Sequence, residues 1–270
     1  MKSTSNFFRT LATRFENEDA KALQELLDWM RTSGNEASFF ADKDVMLQFY
    51  WNMHPRFQFF KTVEHEGRLL DVGAGSGALQ CWKGWMAPVR DDIRYFANDL
   101  TKGEYFDNCE GFFVHNLSEE PFVDHVAYFD SIFACHVLEH VPNWEPFFDN
   151  LIGALKPGGT LYLEWPTKKS AFFPQLAKFH EAGIAISTVN FYDDATHLHT
   201  ADIAEVLPYL NDRGLEMTNM GYIENPFLGA ELLKVGAREN DQELNTYGLW
   251  MALGFSQYIV AKKRNDYEAG

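Results

Sequence analysis

The segment LLDVGAGSGA, residues 69–78, sets Gly73, Gly75 and Gly77 at every second position behind two leucines and Asp71. Glycine loses more backbone freedom on folding than any other residue, so such a cluster marks a turn where backbone approaches something closely. A phosphate, a nucleotide or an adenosyl group is the kind of ligand such a turn takes. Two further stretches hold titratable side chains at short spacing. CHVLEHV, residues 135–141, offers His136, Glu139 and His140, and NFYDDATHLHT, residues 190–200, offers Asp193, Asp194, His197 and His199. Imidazoles and carboxylates grouped in this way suit removal of a proton from an oxygen or nitrogen nucleophile. The His-x-His pair at 197 and 199 is also a metal-binding pattern, but two ligands without a third do not make a zinc site.

The elements that must position these groups alternate along the chain. GRLLDVG predicts a strand and GALQCWKGWM a helix, while DIRYFANDL, GFFVHNL and FDSIFACHV predict further strands. Trp144, Phe147, Phe148, Leu151, Ile152 and Leu155 share one face of a helix over 142–155, which KPGG stops. TLYLEWP reads as a strand, TADIAEVLPYLNDRG as a helix capped by Thr200, and LEMTNMGYI and SQYIVAKK as late strands. Such alternation predicts an α/β fold, a doubly wound and mainly parallel sheet with helices on both faces. Ligands of such sheets sit beyond the carboxyl ends of the strands, which puts the glycine turn and the 135–141 stretch at the working end. Residues 1–65 read as a helical lead-in, ending in the aromatic stretch MLQFYWNMHPRFQFF. It packs beside the main domain, residues 66–270, or closes over its ligand, with FYW at 49–51 as an aromatic lid.

Lys and Arg number 23 against 39 Asp and Glu, a net charge of −16. That surface repels polyanions, so neither nucleic acid nor an anionic membrane is an expected partner. Three unevenly spaced cysteines, Cys81, Cys109 and Cys135, suit free thiols in a reducing compartment. The first residues lack the apolar core of a signal peptide, and the cytosol is the expected location.

Four segments in order resemble the class I S-adenosylmethionine-dependent methyltransferases. LLDVGAGSGAL looks like their first motif, and Asp99 in YFANDL sits where they place a ribose-binding acid. FDSIFACHVLEHVPNWEPFFDNLIGALKPGGTLYLEWP is similar to their fourth strand, the helix after it and their fifth strand. THLHTADIAEVLPYLNDRGLE is similar to the helix that precedes their sixth strand. The resemblance covers roughly residues 66 to 264. It implies a Rossmann-like, seven-stranded sheet with an antiparallel last strand, and S-adenosyl-L-methionine as cofactor. Asp71, Gly73, Gly75 and Gly77 would shape the methionyl end of the site, with Asp99 on the ribose and Leu100 beside the adenine. Asn116 and Leu117 fall where the family often has an aspartate and an apolar neighbour on the adenine. Asn116 also reads as a plain strand-end turn residue.

The implied chemistry is methyl transfer to a small-molecule acceptor, with a hydroxyl oxygen as the expected target. CHVLEHV resembles the segment of ubiquinone-type O-methyltransferases in which two glutamates and a histidine can hold a divalent metal. Here His136 replaces the first glutamate, and no metal is assigned. Residues 167–199 form an insertion of the kind that builds an acceptor site, and NFYDDATHLHT resembles a segment of methyltransferases acting on sugars and natural products. His197, oriented by Asp194, is the expected base, with His140 as the alternative. Glu139 reads more simply as a fastener of its loop. Three other readings stand beside this one: a small-molecule N-methyltransferase, a nicotinamide-dependent oxidoreductase, and an inactive adenosyl-binding subunit.

Overall fold

The computed structural model describes residues 4–40, 42–84 and 87–265. Among them seven strands form one sheet in the order β3-β2-β1-β4-β5-β7-β6. The strands are β1 (Arg68–Val72), β2 (Arg94–Asp99), β3 (Gly111–Val114), β4 (Phe129–Cys135), β5 (Leu155–Pro166), β6 (Leu215–Ile223) and β7 (Ser256–Lys263). The pairs β1–β2, β2–β3, β1–β4 and β4–β5 are parallel. The last strand runs antiparallel, as the resemblance implied. Order reverses between β1 and β4, so the carboxyl ends of β1, β2 and β4 open onto one crevice.

Side-chain alternation explains why both faces are covered. Leu70 and Val72 join a core with Phe147, Phe148, Leu151, Val206 and Leu210, from helices α5 (Trp144–Ala154) and α7 (Ile203–Asp212). Leu69 points the other way, into a core with Tyr95, Phe133 and Tyr162 and with Phe57, Phe59 and Phe60 of α4 (Pro55–Thr62). Asp71 shares the side of Leu69, two residues on, and this later decides its surroundings.

By its internal contacts the chain forms two compact units. The one that holds the sheet runs over Trp51–Trp165, Ala201–Gly221 and from Tyr258 onward. The other comprises the described residues up to Tyr50 with Pro166–Thr200 and Tyr222–Gln257. Its core joins Phe8, Leu11 and Phe15 of α1 (Thr4–Glu16) and Leu26 and Met30 of α2 (Ala20–Ser33) to Phe179 of α6 (Leu176–Glu181), Leu233 and Leu249. The last two lie on α8 (Pro226–Glu239) and α9 (Gln242–Leu253), a helix pair between β6 and β7. No helix among the described residues is long and apolar enough to cross a membrane.

Several local expectations change. GALQCWKGWM is not an α-helix; Ala78–Gly84 forms a 3-10 turn, and Trp85 and Met86 lie outside the described residues. KPGG does not stop α5, which ends at Ala154; it lies inside β5 and loops out of register, with Phe129 opposite Leu155 but Ser131 opposite Thr160. Gly158 sits at φ +75°, a conformation glycine takes without strain. α7 is capped by Asp202 in a capping box with Glu205, not by Thr200. Asp202→Ala is expected to lower stability by about 1 kcal/mol, read as a drop in denaturant midpoint at unchanged slope. An unmoved midpoint would show that other contacts hold the helix start.

Candidate cofactor cleft

β1 delivers the chain to the crevice at Val72, and the three glycines follow with φ of +69°, +55° and +80°. Their roles differ. A Cβ on Gly73 would stand 2.3 Å from the Val137 side chain, and one on Gly77 would stand 2.8 Å from the Phe106 ring. A Cβ on Gly75 would meet nothing within 4 Å. The outer glycines allow protein to pack against the turn, while Gly75 alone faces open space. At the end of β2, the Asp99 carboxylate accepts from the Gly75 N–H at 2.7 Å and the Leu100 N–H at 2.7 Å. These bonds lock the turn to the acid before any ligand arrives.

A cleft of about 240 Å³ opens here, with Gly73, Asp99, Leu100, Asn116, Leu117 and His140 in its wall. Leu100, 63% exposed, gives this cleft an apolar wall. The Asn116 Oδ1 accepts from the Ser118 N–H at 3.1 Å and sits 2.7 Å from its hydroxyl. A backbone N–H can only donate, so the amide orientation is settled and the Nδ2 donor is what Asn116 offers a ligand. Val137, Val141 and Phe147 add apolar wall that the sequence reading did not assign to the site. Asp71 is elsewhere: buried under the turn, it accepts the Tyr95 hydroxyl. Burial pushes its pKa up to about 7, against the pull of that hydrogen bond.

His140 reaches the cleft from a 3-10 turn, Leu138–His140, just beyond β4. His136 does not face a ligand in the same way. Its Nδ1 is 3.2 Å from Glu139 Oε1 and its Nε2 is 3.3 Å from Glu164 Oε1. Burial opposes its charge, but the two carboxylates raise its pKa to about 9. With a proton on both nitrogens the ring has no lone pair for a cation, so His136 does not fit a metal-ligand set.

His197, Asp194 and Asp193 belong to the other unit. There the His197 Nδ1 lies 2.5 Å from the Phe191 carbonyl, which fixes a proton on Nδ1. Asp194 Oδ2 is 4.0 Å from Nε2, while Asp194 Oδ1 accepts from the Thr196 N–H and hydroxyl at 2.8 and 2.6 Å. The ring is thus oriented by a backbone carbonyl more closely than by the carboxylate. Asp193 accepts three backbone N–H groups, of Leu176, Val189 and Asn190. FYW lies on α3 (Lys43–Met53), where Tyr50 is buried and stacks on Tyr247 at 5.2 Å, Trp51 packs on Phe57 at 4.7 Å, and Phe49 is exposed.

A family model described as a methyltransferase domain matches residues 47–219. The chain belongs to that family. It is 27% identical over 172 residues to the mitochondrial ubiquinone biosynthesis O-methyltransferase of Rattus norvegicus, covering 60% of this chain. The chain spans 48% of that relative's length. Among solved structures, an S-adenosylmethionine-dependent methyltransferase from Mesorhizobium loti matches with a TM-score of 0.52 at 13% identity, over 79% of this chain and all of that one. The phosphoethanolamine N-methyltransferase 2 of Haemonchus contortus, solved with phosphomonomethylethanolamine and S-adenosylhomocysteine, matches at TM-score 0.50 and 13% identity, over 87% and 60%.

The cleft of this methyltransferase domain fits S-adenosylmethionine. The Asp99 oxygens suit the two ribose hydroxyls, Leu100 and Leu117 give apolar faces for a flat base, and Gly75 leaves room beside the turn.

Proposed function

We propose that this protein transfers a methyl group from S-adenosylmethionine to a hydroxyl oxygen of a small molecule. The observation that carries the reading is the preorganised turn, with Asp99 pinned by the Gly75 and Leu100 N–H groups at the mouth of an apolar-walled cleft. S-adenosylmethionine, when bound, supplies an electrophilic methyl group on a sulfonium sulfur. The chain's part is to hold and align. Asp99 accepts hydrogen bonds from the ribose, Asn116 presents its Nδ2 donor, and Leu100 and Leu117 exclude water from the base. His140, in the cleft wall beside Val137 and Val141, takes the acceptor's proton. Similarity to an O-methyltransferase of ubiquinone biosynthesis supports oxygen as the methylated atom.

Calorimetry with S-adenosylmethionine and with NADH tests the cofactor, and binding of NADH alone would reject the reading. A screen in cell extract for a product roughly 14 Da heavier, one CH₂, then tests the transfer and finds the acceptor. A product methylated at nitrogen would replace the hydroxyl with an amine.

A further inference from the structure

We propose that His136 is a positioning residue: clamped between Glu139 and Glu164, it fixes the 136–140 turn that carries His140 to the cleft wall. The inference deepens the proposed function and rests on it for the identity of the cleft. Three observations support it independently of that reading. First, His136 has φ +54°, a left-handed conformation that side chains other than glycine adopt rarely and that persists where the surroundings over-determine it. Second, three separate bonds impose it: both ring nitrogens on carboxylates, and the backbone N–H donating to the Glu164 carbonyl at 2.8 Å. Third, the anchor is rigid. Glu164 is 1% exposed and accepts from Arg56 Nη2 and Nε at 2.6 and 3.2 Å and from the Tyr162 hydroxyl at 2.7 Å.

The charges close. Glu139 and Glu164 are negative, and Arg56 and a protonated His136 are positive. Of the groups around these four, burial pushes His54 down to about 3, drives the Cys135 thiol and Tyr162 hydroxyl up, and pushes Asp71, which feels Arg56, up to about 7. A neutral His136 would leave one buried carboxylate uncompensated, an expensive state. An ammonium or an amide at this position would satisfy one carboxylate but not both, because the two imidazole nitrogens point in opposite directions. His136 therefore transmits the rigidity of β5 and α4 to the turn, beside the turn's own backbone bonds and the Trp144 indole N–H donated to the Leu138 carbonyl at 3.3 Å.

The test uses the full chain. Nitrogen-15 spectra of histidine-labelled protein should show His136 protonated on both nitrogens at pH 7.5 and losing a proton near pH 9. A neutral tautomer at pH 7.5 overturns the proposal. His136→Asn keeps a residue that tolerates the left-handed conformation but removes the double clamp. At pH 7.5 it should bind S-adenosylhomocysteine about tenfold more weakly and exchange amide hydrogens over 136–141 at least tenfold faster. Unchanged affinity with unchanged exchange overturns the proposal too. If the wild type binds no S-adenosylhomocysteine, the proposed function fails, and the spectra and exchange still decide whether His136 clamps the turn.

Discussion

Asp99→Ala is expected to weaken S-adenosylmethionine binding by about 1.5–3 kcal/mol, roughly 10- to 150-fold, with little change in unfolding midpoint. Two losses combine. In the proposed site the carboxylate would accept the ribose hydroxyls, and the same group holds the glycine turn through the Gly75 and Leu100 N–H groups. Alanine removes both, so the cofactor meets a site with one partner fewer and a turn free to move. Asp99→Asn separates the two effects. Its amide oxygen can keep one backbone bond, and its loss in affinity should be smaller than that of alanine. Calorimetry on the three proteins reads the difference. Equal affinity in all of them would remove Asp99 from the cofactor site.

His140→Ala should lower turnover by a hundredfold or more, up to about ten-thousandfold, while cofactor affinity stays within a few-fold of wild type. The split follows from position. A base acts on the acceptor's proton in the transition state and contributes little to holding the adenosyl group. Rates are to be measured with the acceptor identified by the mass screen, at saturating S-adenosylmethionine. His197→Ala is the discriminating comparison. Its imidazole is set by the Phe191 carbonyl at 2.5 Å, so truncation there should act first on the 190–200 loop. A turnover loss of a hundredfold in His197→Ala with none in His140→Ala would transfer the base role to His197. Full activity in both would mean that the acceptor ionises unaided.

Much of the sheet was legible because its strands are short apolar runs between turn residues. RLLDV, RYFAND, FDSIFAC and SQYIVAKK were all expected within a residue or two of their ends. The helix pair α8–α9 was not read, although its signals are local. Asn225 caps α8 through the Leu228 N–H, Asp241 caps α9 through the Leu244 N–H, and Gly254 ends α9 in the left-handed region. α9 is buried on most sides, so it lacks the one-sided apolar stripe that periodicity detects.

What the sequence alone determined is the chemistry available at the cleft: three alternate glycines, an acid at the second strand end, and a histidine in the loop after the fourth. Those features are local, since each depends on a residue type and its distance from a strand end. What only the tertiary structure decided is how each group is used. Asp71 looks like a ligand contact in one dimension, yet strand alternation turns it under the sheet toward Tyr95. Gly73, Gly75 and Gly77 look equivalent, yet Val137 and Phe106 stand against two of them and leave the third open. His136 reads as a failed metal ligand until Glu164, 28 residues away, and Arg56, 80 residues away, are brought to it. A short motif specifies which atoms are present. Burial and partners from distant strands decide their charge and direction, because both depend on neighbours that chain order does not reveal.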